Sequence, residues 1–226
     1  MNGNRPKVAT LLFDMDNTLF DLVGAQIASC REVARFLGFD DGDELFGYFL
    51  RPERGFESHE NILDYLNDRD LEPDGVYRNA CRMYERVKME NITPYKGVRE
   101  TLAVLSVSGY RMGIVTDAHS KDATLRLEKI GLLPFFHGLV SYDMSGRKKP
   151  DHEPFLLALG MLKASAQESV LIGDSPRRDI EPGHELGMRT VYARYGDRFS
   201  DDRSDVQSDF IIDCFDELPQ ILAGLQ

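Results

Sequence analysis

The residues best suited to chemistry are a pair of carboxylates that directly follows an apolar run. Asp14 and Asp16 come after Val8–Phe13. Because successive strand side chains alternate between faces, a spacing of two can direct both carboxylates the same way. Two close carboxylates repel each other, so such a pair requires a cation or a shared proton. Pairs of this spacing are also common in solvated loops, so the pair alone leaves a functional site and a surface loop equally open.

Two other apolar runs deliver polar residues in the same manner. Thr116 and Asp117 follow the run at 111–115, and Gly173 and Asp174 follow the run at 169–172. In open parallel sheets, ligands bind beyond the carboxyl ends of the strands. If these strands are neighbours, the three clusters converge on one pocket. Asp174 would then complete an oxygen-rich site suited to Mg²⁺.

The elements that position these residues are strands alternating with helices. Further strand-like runs lie at 188–193 and, less clearly, at 139–142 and 210–212. Helical spacing of apolar residues is evident at 98–105, 125–130, 155–162 and 215–225. This alternation is typical of an α/β fold, and we expect a Rossmann-like three-layer sandwich with a mainly parallel sheet.

Residues 20–94 break that rhythm. They contain no strand-like run, and apolar residues recur at helical spacing around 27–37, 62–66 and 76–87. Pro94 and Gly97 mark the return to the α/β pattern. We therefore predict an α/β core formed by 1–19 and 95–226, with an inserted all-helical domain at 20–94.

Four motifs along the chain resemble those of one family. The segment Asp14-Met15-Asp16-Asn17-Thr18-Leu19 resembles the DxDxT signature of the haloacid dehalogenase-like hydrolase superfamily. Three further motifs follow in the family's order. They are an apolar strand ending in Thr116, a lysine motif at 146–151, and Gly-Asp at 173–174 with a second acid at Asp179. The similarity spans residues 8 to about 190. The helical insertion resembles the cap of the subgroup that carries it between the first and second motifs.

The resemblance implies catalytic roles. Asp14 would attack phosphorus and form an aspartyl-phosphate. Asp16 would protonate the leaving-group oxygen and then deprotonate the attacking water. Thr116 would hydrogen-bond the transferring phosphoryl group, and Lys149 would neutralise charge between nucleophile and phosphate. Lys148 is adjacent, but we favour Lys149 because it precedes Pro150 as in the family's Lys-Pro motif.

The resemblance also implies a Mg²⁺ cofactor. Asp14 and Asp174 would bind the metal directly, and Asp16 would contribute its backbone carbonyl. Asp179 would support the metal from behind its direct ligands or through water. The role of Asp117 is left between two alternatives: it binds substrate, or it caps the following helix.

The implied activity is hydrolysis of a small-molecule phosphate monoester. A 2-haloacid dehalogenase is disfavoured, because dehalogenases resembling this chain lack a carboxylate at the position of Asp16. A sugar-phosphate mutase and a silent phospho-ligand-binding protein stay open as alternatives. The substrate is not identified; Arg51, Arg54 and His59 of the insertion, and His119 after the second motif, are candidates for contacting it.

Bulk composition narrows the partners. The net charge of −11 disfavours duplex nucleic acid and anionic membranes, which require a basic surface. Three widely spaced cysteines, Cys30, Cys81 and Cys214, form no CxxC pair and favour a reducing compartment. We expect a cytoplasmic protein, monomeric or homodimeric, that acts on a small phosphorylated metabolite.

Overall fold

The computed structural model describes residues 7–71, 75–200 and 206–225. Six strands form one sheet in which every neighbouring pair is parallel. The strands are β1 Thr10–Phe13, β2 Arg111–Val115, β3 Gly138–Val140, β4 Ser169–Gly173, β5 Arg189–Ala193 and β6 Phe210–Ile212. Each strand lies within one of the strand-like runs of the sequence or overlaps one. The predicted α/β fold is confirmed.

The order of the strands explains where a site can form. Across the sheet it is β3-β2-β1-β4-β5-β6. The chain builds outward from β1 through β2 to β3, then returns to place β4 on the other side of β1. Such a reversal leaves a crevice at the carboxyl ends of the strands that flank it. The residues following β1, β2 and β4 therefore meet at one edge.

The helices of the described residues lie between the strands and after the last strand. They are α1 Leu22–Phe36, α2 Gly42–Phe49, α3 Glu60–Asn67, α4 Val76–Asn91, α5 Val98–Val107, α6 Ser120–Lys129, α7 Tyr142–Ser145, α8 Glu153–Leu162, α9 Glu181–Glu185 and α10 Leu218–Ala223. A π-helical turn, Pro176–Ile180, directly precedes α9.

Both faces of the sheet are covered, as the alternation of strand side chains requires. On one face, Leu12 packs in a cluster with Phe155 and Leu159 of α8. The next residue, Phe13, points to the other face, where its ring contacts those of Phe136 and Phe215. Every residue of β1, β4 and β5 is buried, which accounts for the apolar runs of β1 and β4, whereas β5 begins with the buried polar residues Arg189 and Thr190.

Contacts divide the chain into two compact units. The first consists of residues 1–21 together with 93–226, and the second consists of residues 22–92. The second unit is helical: α1 packs against α2 and α4, around a core that includes Phe49, Tyr65 and Tyr84. Its limits lie two residues inside the predicted insertion, 20–94, at each end. Helix α2 was missed by the sequence analysis, because its eight residues offer little more than two turns of periodicity.

None of the helices in the described part of the chain is long and apolar enough to cross a lipid bilayer.

Candidate active site

The loop after β1 folds back on itself and fixes the first carboxylate. Asn17 adopts a left-handed backbone conformation, φ 66°, which asparagine tolerates better than most residues. The backbone N–H of Asn17 donates to Phe20 O at 2.8 Å, and that of Leu19 donates to Met15 O at 2.9 Å. This turn brings the Thr18 hydroxyl to 2.9 Å from Asp14 Oδ2, to which it donates. The Asp14 carboxylate is thereby held beyond the end of β1.

Lys149 connects Asp14 to a carboxylate that follows β4. Its Nζ donates to Asp14 Oδ1 at 2.5 Å and to Asp179 Oδ1 at 2.6 Å, with the lysine side chain only 1% exposed. The adjacent Lys148 is exposed, and its Nζ lies 5.2 Å from the centre of the Tyr142 ring. Lys149, and not Lys148, thus lies beside Asp14.

This pairing determines the charge of the candidate nucleophile. Burial opposes ionisation of Asp14, but Lys149, the nearby Arg178 and the hydrogen bond from Thr18 together lower its pKa below the ordinary value. Burial likewise opposes the charged form of Lys149, yet Asp14, Asp179 and Asp117 raise its pKa. Asp14 is therefore a carboxylate at neutral pH, as a nucleophile must be.

Asp14, Asp174 and Asp179 form a cluster suited to a metal ion. All three are buried, and one carboxylate oxygen from each lies within 4.8 Å of the other two. Burial, together with the charges of Asp14 and Asp179, raises the pKa of Asp174 well above its ordinary value. Burial and Asp14 also raise that of Asp179 to about 6, against the opposing charge of Lys149. Buried carboxylates that repel one another need a cation, and an all-oxygen set fits Mg²⁺.

The backbone at β4 allows this close approach. A Cβ atom on Gly173 would lie 2.5 Å from Cβ of Asp179, so any larger residue would displace that side chain. Asp179 is further held by the backbone N–H of Ser175, which donates to its Oδ2 at 3.1 Å. The Gly-Asp pair at 173–174 is therefore a steric requirement of the site as well as a source of a carboxylate.

Asp16 is directed elsewhere. Its carboxylate is not part of the three-carboxylate cluster, and its Oδ1 accepts a hydrogen bond from Arg126 NH1 at 2.9 Å. The Asp16 side chain therefore lies outside the cluster, although the spacing of two could have directed both carboxylates the same way. The turn at 15–20 explains the difference, because Asp16 has left the strand and the alternation of faces no longer applies.

Asp117 does not cap the following helix. The residue that precedes α6 is His119, and it makes no side-chain cap hydrogen bond. Asp117 Oδ1 instead accepts from the backbone N–H of Lys149 at 2.8 Å, and Oδ2 accepts from Arg178 NH1 at 3.4 Å. Thr116 is buried at the end of β2, where its Oγ1 accepts from the backbone N–H of Ala118 at 3.1 Å.

Two arginines near the site were missed by the sequence analysis. Arg178 lies between Ser175 and Asp117, and its pKa is raised by Asp179, Asp14 and Asp174 despite partial burial. The sequence feature that could have indicated Arg178 was its position directly before Asp179. Arg126 was detectable too, because it shares a helical face with the apolar Ala123 and Leu127.

The proposed substrate-contacting residues of the helical unit are engaged within that unit. Arg54 donates to Asp64 and Glu60 at 3.0–3.3 Å. The Arg51 guanidinium lies 3.5 Å from the centre of the Tyr48 ring. His59 Nε2 is 2.8 Å from a carboxylate oxygen of Glu85. His119, in the other unit, is exposed and its ring lies against Tyr142. Their role toward substrate stays a prediction.

Comparison with known proteins agrees with this geometry. The family model for haloacid dehalogenase-like hydrolases matches residues 11–193. The glyceraldehyde 3-phosphate phosphatase of Methanocaldococcus jannaschii is 33% identical, over 96% of this chain and 97% of its own. The pyrophosphatase PpaX of Bacillus pumilus is 31% identical over 83% of this chain and 84% of its own.

Solved structures show the same fold. YfnB from Bacillus subtilis, in a structure bound to magnesium, superposes with a TM-score of 0.79 at 22% identity, covering 96% of this chain and all of that one. An HAD phosphatase from Thermococcus onnurineus gives a TM-score of 0.70 at 26% identity, covering 96% and 99%. The chain therefore belongs to the haloacid dehalogenase-like hydrolases.

Proposed function

We propose that this protein is a Mg²⁺-dependent phosphatase that hydrolyses a small-molecule phosphate monoester through a phosphorylated Asp14. The observation that carries the proposal is the buried assembly at the ends of β1 and β4. It comprises the ion pairs of Lys149 with Asp14 and Asp179, and the Asp174 carboxylate beside them. An ionised carboxylate next to a cation and a metal-binding cluster is the arrangement that phosphoryl transfer to Asp14 requires.

Each residue has a chemical role in this proposal. The Asp14 carboxylate attacks phosphorus, and Asp16 protonates the departing oxygen and later takes a proton from water. Lys149 offsets negative charge between Asp14 and the phosphoryl group, and Thr116 hydrogen-bonds that group. Asp117 acts through Lys149, whose backbone N–H it binds.

The metal would be held by the side chains of Asp14, Asp174 and Asp179, with the backbone carbonyl of Asp16. When bound, Mg²⁺ supplies positive charge that lowers the repulsion between an anionic nucleophile and an anionic phosphate. Its binding also offsets the mutual repulsion of the three buried carboxylates.

The substrate is proposed from the names of the curated relatives, which are those of enzymes acting on small phosphorylated molecules. Two of them are named for sugar-like monophosphates: the glyceraldehyde 3-phosphate phosphatase above, and an N-acetylmuramic acid 6-phosphate phosphatase of Pseudomonas aeruginosa, 29% identical over 85% of this chain. Glyceraldehyde 3-phosphate is the first substrate to test, because the relative named for it matches over nearly the whole chain. We also propose a cytoplasmic location, to be checked by fractionation, because the three thiols are unpaired.

The test is phosphate release from p-nitrophenyl phosphate and from a panel of phosphorylated metabolites. We expect turnover with Mg²⁺, none with a chelator, and a loss of at least about 10³-fold in Asp14→Asn. Asp151→Asn is a matched control, because Asp151 is an exposed acid close to Lys149 in the chain, and its Oδ1 accepts a hydrogen bond from the Glu153 N–H. Activity that survives both chelation and Asp14→Asn would refute the mechanism, and halide release from a 2-haloacid would favour the dehalogenase.

A further inference from the structure

Arg126 is a buried charge that the proposed chemistry has not used. Its side chain is 2% exposed, on the face of α6 that also carries Ala123 and Leu127. Its NH1 donates to Oδ1 of Asp16 at 2.9 Å, joining positions 110 residues apart in the chain. Removing a guanidinium from water costs several kcal/mol unless its hydrogen bonds offset the loss. A leucine or methionine would fill this helix face without that cost.

The bond from Arg126 reaches a side chain of the loop that follows β1. That loop is closed by its own backbone hydrogen bonds, from Asn17 N to Phe20 O and from Leu19 N to Met15 O. Thr18 fixes its other carboxylate, Asp14. What Arg126 adds is a hydrogen bond to one side chain, the carboxyl of Asp16, which is 18% exposed.

We propose that Arg126 is a positioning residue that holds the Asp16 carboxyl where it meets the leaving-group oxygen. This inference rests on the proposed function, in which Asp16 is the general acid. A hydrogen bond to Oδ1 fixes the plane and direction of the carboxyl group, and with them the direction of proton transfer. Geometric control of this kind is effective because an acid contributes only when it lies within hydrogen-bond reach of the leaving oxygen.

The proposal predicts a dependence on the leaving group. An alkoxide, as in glyceraldehyde 3-phosphate or glycerol 3-phosphate, leaves only when it is protonated, whereas p-nitrophenolate leaves without a proton. The ratio kcat/KM is the right quantity, because it reports the steps up to release of the leaving group and omits the later hydrolysis of phospho-Asp14. We expect Arg126→Met to lower kcat/KM about 10²-fold for an alkyl phosphate and less than about fivefold for p-nitrophenyl phosphate.

A double-mutant cycle separates positioning from other roles. If Arg126 acts through Asp16, Arg126→Met should cost little more in the Asp16→Asn background, where the acid is already gone. Arg126→Lys retains one donor and should recover part of the alkyl-phosphate activity. Arg111→Met is the matched control, since Arg111 binds a backbone oxygen of Leu162 at the amino end of β2. It should show no difference between the two kinds of substrate.

The outcomes distinguish the inference from the function beneath it. If wild-type protein hydrolyses both substrates and Arg126→Met lowers both equally, Arg126 has a structural role and the inference is wrong. Additive losses in the cycle would also contradict it. If wild-type protein hydrolyses neither substrate with Mg²⁺ present, the proposed function fails and the inference with it. Should Arg126→Met unfold, as judged by thermal melting, Arg126→Gln and Arg126→Lys supply the same comparison.

Discussion

At the scale of single residues, the site depends on charges that are buried and must therefore be balanced. Lys149 touches two carboxylates, and Arg178 lies between Asp117 and the segment that carries Asp179. The carboxylates and Lys149 could be predicted from the sequence, because each follows an apolar run or belongs to a recognisable motif. Arg126 could not be assigned a partner, because nothing local in the sequence relates it to a carboxylate in another loop.

Replacing Lys149 by Met should abolish most activity. Without the ammonium, Asp14 and Asp179 lose the cation that pairs with both, so their repulsion increases and burial favours protonation of the nucleophile. We expect kcat to fall by about 10³-fold, with p-nitrophenyl phosphate as substrate and Mg²⁺ present. Lys148→Met is the control and should retain activity, because Lys148 is exposed. A loss of less than about tenfold in Lys149→Met would contradict the role given to this residue.

Replacing Asp117 by Asn should lower activity less than replacing it by Ala. The Asn side-chain oxygen can still accept the Lys149 backbone N–H, whereas Ala leaves that N–H without its partner. We expect kcat/KM to fall about 10- to 100-fold in Asp117→Ala and much less in Asp117→Asn. Equal losses in the two variants would show that the negative charge, and not the acceptor, is what Asp117 contributes.

At the scale of elements, the nucleophile loop is supported by the segment that follows β5. The Tyr195 hydroxyl donates to Thr18 O at 2.6 Å, and Arg198 pairs with Asp21 at 2.7 Å. Between them, Gly196 lies so close to the loop that a Cβ atom would be 1.9 Å from Asn17 O. The strands themselves were predictable, because burial on both faces produces continuous apolar runs. The packing of Tyr195, Gly196 and Arg198 against this loop was not predictable, because nothing local in the sequence relates these residues to the loop after β1.

Gly196→Ala should therefore disturb both stability and catalysis. The new methyl group must displace the backbone of the nucleophile loop, so we expect a loss of about 2 kcal/mol or more in unfolding free energy and a clear fall in kcat. Gly160→Ala in α8 is the control: apart from its chain neighbours and the backbone of its own helix, no atom of the described residues lies within 4 Å of its Cβ position, and alanine should stabilise the helix by about 0.5–1 kcal/mol. Denaturant unfolding and phosphate release measure both effects. Unchanged activity in Gly196→Ala would show that this contact is not needed to hold Asp14.

At the scale of the whole molecule, the buried carboxylates couple metal binding to stability. The order of the strands brings residues 14, 174 and 179 together, and the mutual repulsion of their carboxylates opposes folding unless cations offset it. The sequence predicted the parallel sheet and the convergence of its loops, since both follow from the alternation of strands and helices. It could not predict the burial of the carboxylates, which depends on packing of segments distant in sequence.

Asp174→Asn should stabilise the metal-free protein while removing its response to Mg²⁺. The pKa of Asp174 is raised in the folded protein, so ionising this carboxyl costs more free energy in the folded chain than in the unfolded chain. The stability of the fold therefore decreases as the pH rises above the ordinary pKa of an aspartate. The gain in melting temperature from Asp174→Asn, measured in chelator, should therefore be larger at about pH 8 than at about pH 5. Saturating Mg²⁺ should raise the melting temperature of the wild type much more than that of the variant. A variant less stable than the wild type in chelator would contradict this charge balance.

The central claim, that Asp14 carries the phosphoryl group, is tested most directly by trapping the intermediate. Asp16→Asn should still accept a phosphoryl group from p-nitrophenyl phosphate, whose leaving group needs no acid, but should hydrolyse phospho-Asp14 slowly. Borohydride reduction followed by peptide mass spectrometry should then find homoserine at position 14, dependent on both Mg²⁺ and substrate. Reduction at another position, or turnover with Asp14 unmodified under these conditions, would contradict the account.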